Sequence, residues 1–371
     1  MKEQKVLELS VNFIEIDEYL LERKVKKIFL VCGSSIRFLR LNAYFDGLEE
    51  RLGIQVVRFG DFTPNPTYDS VVKGVGVFRK ESCDLVFAVG GGSAMDVAKC
   101  VKLFATMPEN VNYLEQTIIP NDIPVAVVPT TAGTGSEATR YAVIYYQGTK
   151  QSVTDSSCIP DAVFFDVSAL KYLPEYQRKV TMLDALCHAL ESFWSVNSTE
   201  ESKEYAGEAI RTVLKNKTMY LANEPEGNKQ MLKASYLAGK AINITQTTAG
   251  HAMSYKITTL YGVAHGHAVA LCVSKLWPYM LKHLEKCSDG RGEDYLKAIF
   301  TELAKVMGCV TAESAVELFA DILKELDLNV PQAKETDFEI LSQSVNVERL
   351  KNNPIYLDRE AIDELYKQIL R

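Results

Sequence analysis

Asp84-Leu-Val-Phe-Ala-Val-Gly90-Gly91-Gly92-Ser93-Ala-Met-Asp96-Val-Ala-Lys99 is the stretch that decides the fold. A short apolar run is followed at once by three glycines and then by helical spacing. It reads as a buried strand, a tight turn and a helix start. Glycines let a backbone approach an anion closely, and the free N–H groups of the following helix then meet it. The stretch is neither a G-x-G-x-x-G fingerprint nor a Walker loop. A tight βα turn needs one glycine, or two; three in a row after a buried strand favour contact with a phosphate.

Outward from this turn, further short β-branched or aromatic runs lie at Lys27–Cys32, Ile54–Phe59, Leu85–Val89, Val125–Val128 and Tyr141–Tyr145, with helical patterns at about 36–51, 68–81 and 93–104. Strands alternating with helices predict a parallel sheet covered on both faces, with ligands at the carboxyl ends of its strands. A second segment, Val128-Pro129-Thr130-Thr131-Ala-Gly133-Thr134-Gly135-Ser136-Glu137-Ala-Thr139-Arg140, also follows a buried strand. Its small hydroxyl side chains suit a nucleotide wall. A solvated loop ending in a helix cap would explain Ser136 but not that density of hydroxyls. After about residue 167 the strand signal gives way to amphipathic stretches near 176–195, 200–221, 227–245, 265–285, 291–308, 311–328 and 358–370, with 329–357 partly irregular. The expected organisation is an α/β dinucleotide-binding domain over 1–170 and an all-helical domain over 171–371. A cleft between them is where a cofactor and a metal would meet.

The chain has five histidines, and four fall between positions 188 and 267. Asp184 and His188 are four residues apart, so on a helix they share a face and can point at one ion. His251, His265 and His267 follow in Gly-rich, apolar surroundings. A lone Asp-x-x-x-His is more often a surface carboxylate beside a hydrogen-bonded histidine; the clustering reverses that preference. One carboxylate with several imidazoles suits divalent iron or zinc.

Composition sets the outer bounds. At 371 residues two domains are expected, and 47% hydrophobic with 24% charged residues allows a large core. A net charge of −7 argues against a nucleic-acid surface. The eight cysteines include no C-x-x-C pair, which reads as reduced thiols in a cytoplasmic protein. The N-terminal residues lack the apolar core of a signal peptide, and no apolar run is long enough to span a bilayer.

Taken together, Phe62-Thr-Pro-Asn65-Pro66-Thr67, Gly90–Lys99, Pro129–Glu137, Asp184-Ala-Leu-Cys-His188, His251 to His265 and Asn352-Asn353-Pro354 resemble the iron-dependent (group III) alcohol dehydrogenases over nearly the whole chain. The resemblance implies a Rossmann-like, dehydroquinate synthase-like fold and a metal-dependent reaction between NAD(P)H and a small aldehyde. It implies Fe(2+), or Zn(2+), on Asp184, His188, His251 and His265, and a homodimer. Gly90, Gly91, Gly92 and Ser93 would hold the cofactor pyrophosphate; Thr130, Thr131 and Thr134 would line the cofactor, with Asp96, Ser136 and Lys150 beside them. Many members carry a histidine where this chain has Tyr255, which leaves Tyr255, His267 or water as the proton source. Many NAD-preferring members carry an aspartate after the first strand; here Gly33, Ser34 and Ser35 stand there, which favours NADP(H) over NAD(H). Arg140, Gln246, Thr247, Thr248 and Lys256, with Lys240 and the stretch Glu191-Ser-Phe-Trp194, resemble the phosphonoacetaldehyde reductase branch, where a dianionic substrate needs several donors and a cation. The alternatives are a general short-chain alcohol dehydrogenase, a glycerol dehydrogenase- or dehydroquinate synthase-like relative, and a nucleotide sensor without catalysis.

Overall fold

The computed structural model describes residues 3–345 and 350–370. The chain divides into two compact units, one of residues 1–173 with 223–232, the other of residues 174–222 with 233–371. The first is built on a six-stranded sheet. Its strands are β1 (Lys5–Glu8), β2 (Lys27–Cys32), β3 (Gln55–Phe59), β4 (Leu85–Gly90), β5 (Val125–Pro129) and, after the hairpin of β6 (Tyr141–Tyr146) and β7 (Thr149–Thr154), β8 (Ala162–Phe165). The order is β1-β8-β5-β4-β2-β3, and every pairing in it is parallel.

The central strands are apolar along their whole length because both faces are covered. Ile28, Leu30, Leu85, Phe87, Ala126, Val128, Ala162 and Phe164 face one core. Its other side comes from α1 (Ile14–Glu22), α2 (Arg40–Asp46) and α3 (Leu48–Leu52), through Tyr19, Leu20, Phe45 and Leu48. On the opposite face Phe29 stacks on Phe59 at 5.5 Å and meets Phe78 of α4 (Tyr68–Glu81) edge-on at 5.6 Å between ring centroids. The crossover from β2 leads outward to β3, whereas the crossover from β4 runs the other way to β5 through α5 (Gly92–Phe104). The carboxyl ends of β2 and β4 therefore flank the point where the winding reverses, the place where α/β sheets take their ligands.

Two expectations need correction, and two strands were not foreseen. Tyr141–Tyr146 is not a strand of the parallel sheet; it pairs antiparallel with β7. The helical pattern over 36–51 is broken into a 3-10 turn (Ser34–Phe38), α2 and α3, because Leu39 is extended and Gly47 interrupts the periodicity. β1 and β8, four residues each, are too short to declare themselves in a sequence and are held by pairing with each other.

The second unit is helical among its described residues. It contains α6 (Glu175–Trp194), α7 (Glu200–Leu221), most of α8 (Pro225–Thr245), α9 (Ala249–Tyr261), α10 (His265–Lys282), α11 (Glu293–Val306), α12 (Ala312–Leu326), α13 (Glu335–Gln343) and α14 (Arg359–Ile369). Helix α6 packs against α7 and α10, and α9 packs against α10. Its core holds Trp194 and Trp277, 5.4 Å apart. The stretch expected to be irregular, 329–357, contains α13; residues 346–349 of it lie outside the described residues. No helix among the described residues is long and apolar enough to cross a membrane.

Candidate functional site

In the helical unit, α6 is a 20-residue helix that buries most of its second half. Asp184 and His188 occupy one face at i and i+4, as the spacing predicts. His251 sits in the first turn of α9. One ligand atom from each of Asp184, His188 and His251 lies within 4.8 Å of the others, and all three residues are buried. The His188 and His251 rings stack at 4.4 Å, and Asp184 Oδ1 is 3.8 Å from His251 Nε2. Asp184 Oδ1 is buried with no hydrogen-bond partner among the described residues. An unsatisfied buried carboxylate oxygen is costly. A divalent cation between these three side chains would satisfy it, and the N/O donor set fits iron or zinc.

His265, the first residue of α10, is half-buried and is not in that trio; its ring lies 5.4 Å from that of His251. Tyr255, one turn after His251, lies flat against His265 at 5.6 Å and 10°. His267 is not in that trio either: it is 3% exposed, and its Nδ1 is 3.1 Å from the hydroxyl of Tyr176. That hydroxyl also accepts from the amide of Ala264. Burial lowers the basicity of His267.

Two glycines let the helices approach. A Cβ on Gly266 would meet Val180 O at 2.1 Å and Asp184 Cβ at 2.7 Å, so α10 can lie against α6 only without one. A Cβ on Gly250 would come within 2.3 Å of Glu191 Oε1. Glu191 is the residue whose role the sequence reading missed. Fully buried on α6, it accepts from the amides of Thr248 and His251 and lies 2.6 Å from His251 Nδ1. Burial pushes its carboxyl up to about 7, against the pull of those two amides. The available signal was its position seven residues after Asp184, on the same helical face.

Several of the other residues expected at a substrate site are engaged elsewhere. Gln246 takes a left-handed conformation (φ 61°) at the end of α8. Asn352 Nδ2 donates to Gln246 Oε1 at 3.4 Å and to Thr247 O at 3.1 Å. The Thr248 hydroxyl accepts from Trp194 Nε1 at 3.2 Å. Lys240 sits over the Tyr205 ring at 3.9 Å, while Lys256 is half-buried on α9.

In the first unit, Gly90 ends β4, Gly91 precedes α5, and no side chain caps the helix N-terminus. Added Cβ atoms on Gly91 and Gly92 would meet Thr131 and Thr134, each at 3.0 Å, so the hydroxyl-rich segment lies directly against the glycine turn. Thr130, Thr131, Thr134 and Ser93 remain half-exposed. Ser136 is turned inward and donates to Asp96 Oδ1 at 2.9 Å. Burial raises the Asp96 carboxyl, with Lys99, Ser136 and Lys150 pulling it down. Lys99 is fully buried, and its ammonium donates to Ser136 O, Thr139 O and Tyr141 O at 2.6–2.8 Å and to the Ser136 and Thr139 hydroxyls. Arg140 lies over the Tyr141 ring and donates to its hydroxyl. Gly33, Ser34 and Ser35 follow β2 directly, and no atom lies within 4 Å of where a Gly33 Cβ would stand.

Comparison with known proteins places the chain in a family. Residues 10–167 match the family model for iron-containing alcohol dehydrogenase, and residues 179–370 match that for the C-terminal part of the Fe-containing alcohol dehydrogenase family. A phosphonoacetaldehyde reductase of Streptomyces viridochromogenes is 30% identical over 84% of this chain and 81% of its own length. A 1,3-propanediol dehydrogenase of Klebsiella pneumoniae is 29% identical over 92% and 91%. Among solved structures, a 1,3-propanediol oxidoreductase superposes with a TM-score of 0.87 at 26% identity, covering 98% of this chain and 97% of its own. The NAD+ complex of sulfoacetaldehyde reductase from Bifidobacterium kashiwanohense shares the fold with a TM-score of 0.87 at 23% identity, covering 99% and 97%.

Proposed function

Because the chain belongs to the iron-containing alcohol dehydrogenase family, we propose that it reduces phosphonoacetaldehyde to 2-hydroxyethylphosphonate, with NADPH preferred over NADH. The observation that carries a metal-dependent reaction is the buried trio of Asp184, His188 and His251 around an unpartnered carboxylate oxygen. With His265 they are assigned as ligands of one Fe(2+), for which Zn(2+) substitutes. A bound divalent ion supplies Lewis acidity toward a carbonyl oxygen, and a bound nicotinamide supplies the hydride.

The chain's own residues do the rest. The first unit is assigned to the dinucleotide: the uncapped N-terminus of α5 with Gly90, Gly91, Gly92 and Ser93 takes the pyrophosphate, and Thr130, Thr131 and Thr134 form the wall. Ser136, Asp96 and Lys150 hold that wall from within. Gly33, Ser34 and Ser35 offer donors and no carboxylate to a ribose 2′-phosphate. The helical unit is assigned to metal and substrate. Tyr255, whose ring lies against His265, is assigned the proton delivered to the product oxygen. His267 holds its own proton position through Tyr176. Lys256, on the same helix as His251, is assigned to the phosphonate, supported by the relative whose printed activity is phosphonoacetaldehyde reduction. Gln246, Thr247 and Thr248, in the same unit, are assigned to the substrate with it. We further assign the chain to a reducing, cytoplasmic setting, on its eight free cysteines, and to a homodimer, on its family membership.

A second reading, a general short-chain aldehyde reductase, is favoured by the 1,3-propanediol dehydrogenase relative. The two are separated with purified, iron-reconstituted protein assayed on phosphonoacetaldehyde, sulfoacetaldehyde, 3-hydroxypropanal and propanal, with each nicotinamide. A kcat/KM for phosphonoacetaldehyde at least roughly tenfold above that for propanal is expected, with Lys256→Ala raising KM for the phosphonate alone. Equal efficiency on all four leaves the general reductase.

A further inference from the structure

Glu191 is a fully buried carboxylate that the assignments above leave without a task. It lies on the face of α6 that carries Asp184 and His188. Its two oxygens close around the start of α9. Thr248 N donates to Oε2 at 2.8 Å, and His251 N donates to Oε1 at 3.0 Å. Thr248 precedes α9 but does not cap it with its own side chain, since its hydroxyl accepts from Trp194. The negative cap of α9 is thus delivered from another helix, at the positive end of the helix dipole.

The same carboxylate reaches the imidazole. His251 Nδ1 lies 2.6 Å from Oε2. We propose that Glu191 is the positioning residue of the metal centre: it fixes the ring orientation and tautomer of His251, so that Nδ1 carries the hydrogen and the Nε2 lone pair faces Asp184 and His188. Backbone amides only donate, so Glu191 is an acceptor toward both of them, and a hydrogen on Nδ1 completes an all-acceptor carboxylate. Nε2 is then left as the ring's lone-pair atom, 3.8 Å from Asp184 Oδ1. Gly250 leaves room for the arrangement: a side chain there would strike Glu191 Oε1 at 2.3 Å and Val273 Cγ2 at 2.7 Å. A carboxylate behind a ligating histidine sets ring orientation and raises ligand basicity.

The inference rests on the metal-centre reading, and one set of measurements separates the two. Glu191→Gln keeps the size but can turn an amide N–H toward Nδ1, which drives the ring hydrogen to Nε2. Iron(II) and zinc(II) affinities are measured by chelator competition on the unaltered chain, on E191Q and on His251→Ala. The His251 tautomer is read in the metal-free, 15N-histidine-labelled chain by NMR. The expected result is one ion per unaltered chain, affinity lower by roughly 10- to 100-fold in E191Q, and a hydrogen on Nδ1 in the unaltered chain. A residue that only capped α9 would lower the melting temperature without moving the tautomer. E191Q binding metal within twofold of the unaltered chain, or a hydrogen on Nε2 of unaltered His251, overturns the inference while the metal centre stands. An unaltered chain that takes up no ion, or H251A that binds as well as it does, overturns the metal centre and the inference with it.

Discussion

Glycine neighbours make the histidine cluster possible. Gly266 permits α10 to touch α6 beside His265, and backbone atoms cannot yield as a flexible side chain does. Gly266→Ala should therefore cost about 3 kcal/mol, the upper end of overpacking penalties, read as a lower urea midpoint of the metal-free chain. Gly33 is the opposite case. Its φ of −80° is open to any residue, and nothing stands within 4 Å of an added Cβ. Gly33→Asp should fold normally and place a carboxylate where the ribose 2′-oxygen is proposed to sit. Selectivity for NADPH over NADH should fall on the order of tenfold, about 1.4 kcal/mol; an unchanged ratio of kcat/KM values would remove the turn after β2 from the cofactor assignment. At this scale Asp184 and His188 were legible because a local period of 3.6 sets their shared face. The place of Glu191 on that face was open to the same reading, seven residues after Asp184, but its task was not, because its partners Thr248 and His251 lie beyond α6 and no local spacing encodes that meeting.

The element that ties the first unit's candidate site together is α5, through Lys99. Its ammonium donates to five oxygens of the segment from Ser136 to Tyr141, which ties the helix after the glycine turn to the chain that follows the hydroxyl wall. Burial works against that charge, holding the amine below its ordinary basicity, while Asp96 pulls the other way. Lys99→Met keeps the apolar stem and strands buried carbonyls, each costing about 1–3 kcal/mol. A melting temperature lower by several degrees and a weaker NADPH dissociation constant are expected together; normal nucleotide affinity would uncouple the two loops. The long elements were legible because apolar periodicity extends over several turns: α4, α5, α6 and α7 start and stop within about two residues of where the sequence predicts. The hairpin β6–β7 was misread because its alternation is the same whether the neighbour is parallel or antiparallel. Helix α9 was passed over as a separate element because it begins with small residues, with Thr248 as its one start signal, and its amides are capped from another helix.

For the molecule as a whole, the alternation of strand and helix followed by helix alone made the α/β-then-α architecture legible, whereas the edge of the sheet was not. That edge closes late. Ala126 and Val127 of β5 pair with Ala162 and Val163 of β8, and β1 then pairs outside β8. A ribosome adding about 5–20 residues per second needs roughly 2–7 s between those partners. Through that interval the strand Val125–Pro129, buried along its full length in the finished chain, is an open apolar edge on a nascent polypeptide. Its start in life is thus a short race between the arrival of β8 and pairing with a neighbouring chain, decided by translation speed and by whatever holdase reaches the strand first.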